Sequence, residues 1–281
     1  MNIINAVSAM TSWSNERIRA GATIALVPTM GCLHEGHVAL IKAAALRADE
    51  VVVSIFVNPL QFGPNEDFSR YPRPFDEDCD TVAALKVAVL FAPDVSGFYP
   101  EGFATSVNVQ GVSAGLCGAS RPGHFTGVTT VVAKLFHAVK PTVAVFGQKD
   151  LQQLAVIKAM VRDLNWDIDI VGHPIVREAD GLAMSSRNRY LTSAERRSAL
   201  CLARALASAR QWVAQGQTDA QTLLDRLRGQ ISSDPQVAID YLAVVHDSDL
   251  VPQSQVDLRS ILAMAVKIGA TRLIDNGYLI S

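Results

Sequence analysis

Hydrophobic residues fall in short unbroken runs, each followed by a polar segment and then an amphipathic stretch. The runs cover 23–30 (TIALVPTM), 51–57 (VVVSIFV), 87–92 (VAVLFA), 141–147 (PTVAVFG) and 168–176 (IDIVGHPIV). Short continuous runs rich in β-branched residues predict strands buried on both faces. Between them, helical spacing appears at 36–49, with Val38, Ile41, Ala45 and Ala48 near one face, and again near 75–86, 125–139 and 150–163. This alternation predicts an α/β fold, a parallel sheet with helices on both faces. Ligands in such sheets bind beyond the carboxyl ends of the strands. Four polar segments fall where those ends should be, at 28–37, 58–73, 147–153 and 177–189, and together they predict one site.

The pattern changes after about residue 177. A helix follows SAERR, another lies near 218–231, and two or three short strands are expected over 237–246 and 261–275. A smaller α+β domain is expected there, so the chain divides into residues 1–176 and 177–281. No internal repeat, low-complexity tract or long linker interrupts it.

Composition narrows the partners. With 281 residues, 49% hydrophobic and 19% charged, the chain can bury a large core. A net charge of −2 gives no global pull toward nucleic acid or an anionic membrane. The four cysteines, Cys32, Cys79, Cys117 and Cys201, form no CxxC pair, which argues against a disulfide framework or a zinc ribbon. The N-terminus does not read as a signal peptide, and no apolar run is long enough to span a bilayer. A soluble protein of a reducing cytoplasm is expected, with no nucleic-acid or membrane partner.

The chemistry-bearing residues cluster in the polar segments. PTMGCLHEGH (28–37) ends a strand, turns at Gly31 and opens a helix near Gly36. Amides at a helix start can face a phosphate, and His34 and His37, three apart, can donate to its oxygens. No third His or Cys lies nearby in sequence to make a zinc site. In NPLQFGPNEDFSRYPR (58–73), Asn58 and Gln61 can read a small ligand's hydroxyl or carboxylate, or simply cap a loop. Glu77 and Asp78 follow, either as a solvated face or, near a triphosphate, as Mg²⁺ ligands. FGQKDLQQL (146–154) offers Lys149 as a point charge for a phosphate, with Gln153 a turn further on. Asp150 is either a plain N-cap or a ligand contact. READGLAMSSRNRYL (177–191) gathers Ser185, Ser186, Arg187 and Arg189, a mobile clamp for an anionic tail or a solvated linker. In RPGHFTGV (121–128), Arg121 and His124 either meet an anion or form a turn.

Taken together, VNPLQFGPNEDFSRYPR, RPGHFTGV and GQKDLQQL closely resemble the pantothenate synthetase (pantoate–β-alanine ligase) family. HEGH and MSSR resemble the two phosphate-binding signatures of the wider HxGH nucleotidyltransferase superfamily. The likeness runs from about residue 24 to 191, and more weakly to RLIDN at 272–276. Cys32 and Val38 depart from the alanine and leucine of many relatives, beside the signature rather than in it. The resemblance implies a Rossmann-like N-terminal domain, a small C-terminal lid and a homodimer. It implies ATP-dependent joining of pantoate to β-alanine through pantoyl adenylate, with Mg²⁺ and no tightly bound organic cofactor. ATP would meet Met30, Gly31, Cys32, Leu33, His34, Glu35, Gly36 and His37, then Gly147, Gln148, Lys149 and Asp150, then Val176, Met184, Ser185, Ser186 and Arg187. His37 takes the role of proton donor in that family. Gln61 would contact pantoate and β-alanine, and Gln153 pantoate, with Asn58, Arg121 and His124 beside them. Another nucleotidyltransferase, or a non-catalytic nucleotide-binding module, would not need substrate-reading glutamines on two separate loops.

Overall fold

The computed structural model describes residues 1–64 and 66–280; Asn65, inside the 58–73 segment, and Ser281 lie outside them. Six parallel strands form the main sheet: β1 (Asn2–Ile4), β2 (Ile24–Thr29), β3 (Glu50–Ile55), β4 (Val89–Phe91), β5 (Val143–Gly147) and β6 (Asp169–His173), in the order β1-β4-β3-β2-β5-β6. From β2 the chain winds outward to β3 and β4, then crosses back to β5 on the other side of β2. The order therefore reverses between β2 and β5, and a crevice opens beyond their carboxyl ends at that point. Strands β2 and β3 are almost wholly buried, as their continuous apolar runs require.

The helices split into two layers. On one face, α1 (Val7–Arg19), α6 (His124–Val139) and α7 (Leu151–Asp163) enclose a core with Leu26, Phe91, Val132, Phe136 and Ile157. On the other, α2 (Glu35–Ala45) and α3 (Phe75–Ala84) cover Val27, Val53 and Leu90 with Ile41, Ala44 and Val82. Between β4 and α6 lie two short helices, α4 (Val95–Phe98) and α5 (Leu116–Ser120). Helix α6 is buried nearly all round, the signature of a helix inside a core rather than on a surface. The buried stripe of α2 holds Ile41 and Ala44, whereas the expected Ala45 is exposed. Helix α2 also ends at Ala45, four residues before the expected end, so Ala48 belongs to the following loop. Elements β1 and α1 lack a signal in the pattern: β1 is a three-residue edge strand, and α1 mixes serines into its apolar face.

The C-terminal part has its own core. Helices α8 (Ser193–Ala199), α9 (Cys201–Ala214) and α10 (Ala220–Ser232) pack on an antiparallel sheet of β7 (Val237–His246), β8 (Ser260–Ile268) and β9 (Thr271–Tyr278). Leu202, Leu223, Leu227, Leu262 and Met264 fill the space between them. Strand β7 covers the expected 237–246, and the expected 261–275 stretch divides into β8 and β9. Residues 258–259 form the turn before β8. Strand β9 carries RLIDN against the main domain: Asn276 Nδ2 donates to the carbonyls of Gln148 and Lys149, each at 3.0 Å. Asp275 pairs with both guanidinium nitrogens of Arg177 at 2.7 and 2.9 Å.

Candidate active site

The loop after β2 is held at almost every polar atom. Thr29 Oγ1 donates to the Ser54 carbonyl at 2.8 Å and accepts from Gly31 N–H at 3.1 Å. Cys32 N–H and Leu33 N–H donate to the Asp78 carboxylate, and Ser186 Oγ donates to the Cys32 carbonyl. His34 is the N-cap of α2, and its Nδ1 accepts from Gly36 N–H at 3.1 Å. In return His34 N–H donates to Nδ1 of His37 at 3.3 Å. A Cβ on residue 36 would lie 2.8 Å from the His34 ring, so a larger residue there would displace that ring.

This geometry corrects one expectation. The Gly31, Cys32, Leu33, His34 and Gly36 amides are occupied within the protein and do not face a phosphate. The two imidazoles, by contrast, keep a nitrogen open to the cleft. With Nδ1 of each ring accepting from the backbone, the neutral ring carries its proton on Nε2, the nitrogen left for the cleft. The two rings lie 4.1 Å apart between centroids, and both line the cleft. Burial, reinforced by the charge of Lys149, pulls the pKa of His34 down to about 4. Burial and the neighbouring His34 take His37 down to about 3. At neutral pH both are hydrogen-bond donors through Nε2.

Beyond β5, a single turn of 3₁₀ helix (Gln148–Asp150) brings Lys149 and Asp150 to the same cleft. Lys149 makes no ion pair among the described residues. Asp150 is exposed and makes no capping hydrogen bond to α7, so the plain N-cap alternative is not realised. Gln148 turns away, with Nε2 donating to the Gly172 carbonyl at 3.4 Å. Gln153, on the first turns of α7, lines the cleft without a protein partner among the described residues. Val176 accepts from Met184 N–H at 3.0 Å and closes the loop that carries Met184 and Ser185 to the cleft.

Several candidates turn out to be braces. Asn58 is 1% exposed. Its Nδ2 donates to Gln61 Oε1 and the Gly127 carbonyl, and its Oδ1 accepts from Leu60 N–H and Tyr99 O–H. It has nothing left with which to read a substrate. Arg121 grips Glu66 through two hydrogen bonds of 2.6 Å and donates to the Gln61 carbonyl at 3.1 Å. His124 Nδ1 lies 2.8 Å from the same carbonyl and its Nε2 lies 3.0 Å from Arg121. Burial, with Arg121 beside it, lowers the His124 pKa to about 4. Both residues are committed to holding Gln61. The Gln61 side chain sits against Met30, with Nε2 3.0 Å from the sulfur, and it faces the cleft.

The 185–190 turn is held in the same way. Ser185 caps it by accepting from Arg187 N–H, which leaves the Ser185 O–H proton for a ligand. Arg187 is not an open cation here: its Nε and Nη2 both donate to Asp67 at 2.9 Å, and Nη1 remains. Burial opposes ionisation of Asp67, yet the Arg187 hydrogen bonds and charge hold its pKa below the ordinary carboxylate value. Sequence reasoning missed Glu66 and Asp67, two adjacent acids that each capture an arginine from another loop. Their only trace was the acidic pair in NEDFSR.

Glu77 and Asp78 do not fit the metal role. Glu77 is exposed on α3 away from the cleft, whereas Asp78 is buried with both oxygens on amides. Among the described residues no group of three or more His, Cys, Asp or Glu side chains could hold a metal ion.

The resulting cleft encloses about 230 Å³ and is apolar at depth, where Phe56, Val131, Leu135 and Phe146 line it. It opens into a wider gap of about 1070 Å³ toward the C-terminal sheet. Fold and site together define a doubly wound α/β protein whose switch-point cleft presents neutral imidazole donors and a lysine to an anionic ligand. The pantoate-beta-alanine ligase family profile matches residues 2–278. A pantothenate synthetase of Geobacter sulfurreducens is 54% identical over 279 residues, 99% of each chain. The crystal structure of pantothenate synthetase from Thermus thermophilus superposes with a TM-score of 0.93 at 44% identity, covering all of both chains. That of the Francisella tularensis ligase, solved with β-γ ATP and β-alanine, gives 0.79 at 34% identity over 99% of this chain and 98% of that one. The chain belongs to the pantoate–β-alanine ligase family.

Proposed function

We propose that this cleft joins pantoate to β-alanine with ATP as co-substrate, in two steps that share one site. A pantoate carboxylate oxygen attacks the α-phosphorus and expels pyrophosphate. The β-alanine amine then attacks the acyl carbon of pantoyl adenylate and releases AMP. The observation that carries this reading is the pair of Nε2–H donors, fixed by backbone hydrogen bonds, at the mouth of a pocket with an apolar depth. Charge that builds on the phosphates as pyrophosphate leaves would meet His34, His37, Lys149 and the Ser185 hydroxyl. Arg187 joins them through Nη1, or through its whole fork if it releases Asp67. Gln61 and Gln153 approach from different strand ends and can grip one small hydroxy acid from two sides. Its two methyl groups suit the apolar depth of the pocket.

Mg²⁺ enters this reading as the counter-ion carried by the triphosphate, which together with water can satisfy it. No protein ligand is assigned to it. Residues 177–281 are read as a lid, because an acyl adenylate must be kept from water. The homodimer implied by the family would show in sedimentation velocity. Among the described residues no helix is long and apolar enough to cross a membrane. Cys32, Cys117 and Cys201 are buried free thiols, which agrees with a reducing cytoplasm.

The test is omission. AMP should form only with ATP, pantoate and β-alanine together, while labelled pyrophosphate should exchange into ATP with pantoate alone. Exchange that requires β-alanine, or proceeds without pantoate, contradicts the two-step reading.

A further inference from the structure

Asp78 is buried to 2% exposure, and the reaction above leaves it without a task. It belongs to α3, yet both its oxygens reach the loop after β2. Cys32 N–H donates to Oδ2 at 2.7 Å and Leu33 N–H to Oδ1 at 2.7 Å. The backbone that makes this possible is unusual: Gly31 has φ 80° and Cys32 φ 51°, two left-handed residues in succession. The turn aims two successive amides at one carboxylate and so forms a small anion-binding nest. A non-glycine residue such as Cys32 keeps that conformation only where its surroundings enforce it. A Cβ on residue 31 would lie 2.9 Å from Asp78 Oδ2, so the glycine also makes room for the carboxylate. The opposite side of the Cys32 peptide is tied by Ser186 Oγ at 3.0 Å. His34 follows one residue after the nest.

We propose that Asp78 is a positioning residue for adenylate formation: seated in the amide nest of Cys32 and Leu33, it fixes the turn that presents His34 and His37. The proposal rests on the phosphate role given to those histidines. It separates cleanly from metal ligation, because a carboxylate inside a closed turn acts on ring placement and not on metal affinity.

The experiment compares Asp78→Ala and Asp78→Asn with the wild-type chain. Pantoate-dependent pyrophosphate exchange should slow on the order of 100-fold, the usual effect of misplacing a catalytic group by about 1 Å. The Mg²⁺ concentration for half-maximal rate should not move. Added formate should restore part of the rate in Asp78→Ala by refilling the nest. Amide hydrogen exchange should quicken at Cys32 and Leu33 in Asp78→Ala, while Leu26 and Val27 in β2 stay protected. If Asp78→Ala disrupts the fold, Asp78→Asn, which keeps the volume and one acceptor, carries the same measurements. A raised Mg²⁺ requirement with normal turnover at saturating Mg²⁺ overturns the proposal, as does unchanged exchange at the two amides. If the wild-type chain shows no pyrophosphate exchange, the reaction and Asp78's role in it both fall. Quickened amide exchange in the variant would then leave the nest standing as a structural feature only.

Discussion

His34 and His37 enter the cleft as neutral rings whose protonated nitrogen is set by the backbone, and His124 is held neutral nearby. All three have pKa values well below the ordinary 6.5, at about 4, 3 and 4 respectively. The unfolded chain therefore takes up these protons first as pH falls. Between pH 6.5 and about 4 it binds more protons than the folded chain, so stability should drop through that window. Each unit of difference is worth about 1.36 kcal/mol, so the loss should be plain in calorimetric melts at about pH 7, 6 and 5. A flat profile would mean the rings are charged in the fold. For the same reason kcat/KM should show no fall near pH 6.5 on the alkaline side, which a required imidazolium would produce. Replacing either His34 or His37 by alanine should slow pyrophosphate exchange about 10²–10³-fold, the typical effect of losing one preorganised donor. The HxGH spacing was readable in the sequence. The tautomer was not, because it depends on which amides each ring accepts from.

At the scale of elements, the placement of Gln61 comes from a turn packed on a helix. A Cβ on residue 127 would fall 2.2 Å from the Leu60 carbonyl, so only glycine lets the 59–61 turn lie this close to α6. Asn58, Arg121 and His124 then lock that turn. Their residue types suggested ligand contacts, but their partners lie 55 to 69 positions away in sequence. No local pattern reveals such pairings. The distinction has a measurable consequence. Gln61→Ala and Gln153→Ala should weaken pantoate by about 1.5–3 kcal/mol, the worth of a hydrogen bond to a charged group, while leaving ATP affinity nearly unchanged. Gln153→Ala should also keep the melting temperature, whereas Gln61→Ala should lower it because the buried Asn58 Nδ2 loses an acceptor. Calorimetric titration of both ligands into each variant, with a melt alongside, gives the answer. Equal weakening of both ligands would remove the glutamines from the pantoate pocket.

Across the whole molecule, the two cores meet through polar loops and a small shared apolar cluster, in which Val245, Leu250, Ile261 and Ala263 pack with Val112, Leu116, Leu151 and Ala155. Asn276 with the 148–150 turn, Ser186 with Cys32 and Arg187 with Asp67 carry the polar junction, and the Arg177–Asp275 pair ties the 177–189 loop to β9 beside it. Asp275 is vulnerable to a lost partner, since its side chain is only 1% accessible. Arg177→Met should destabilise the chain by about 3 kcal/mol in urea unfolding, the low end for an orphaned buried charge because Arg177 itself is 30% accessible. A loss below about 1 kcal/mol would class the pair with ordinary surface bridges.

The sequence alone determined the alternating strands and helices, the two-part division of its pattern and the four polar loops that line one cleft. It did so because burial on both faces writes continuous apolar runs, and because a strand followed by Gly and HxGH is a local signal. It could not show the edge strand β1 or the start of α1, where little apolar surface is involved. Tertiary structure decided which polar residues face the cleft and which brace the loops. Asp78, Asn58, Arg121 and His124 all look like ligand-binding residues in isolation. Each becomes a brace only because folding brings a distant amide, carbonyl or carboxylate within hydrogen-bonding reach, where a buried polar group must find a partner.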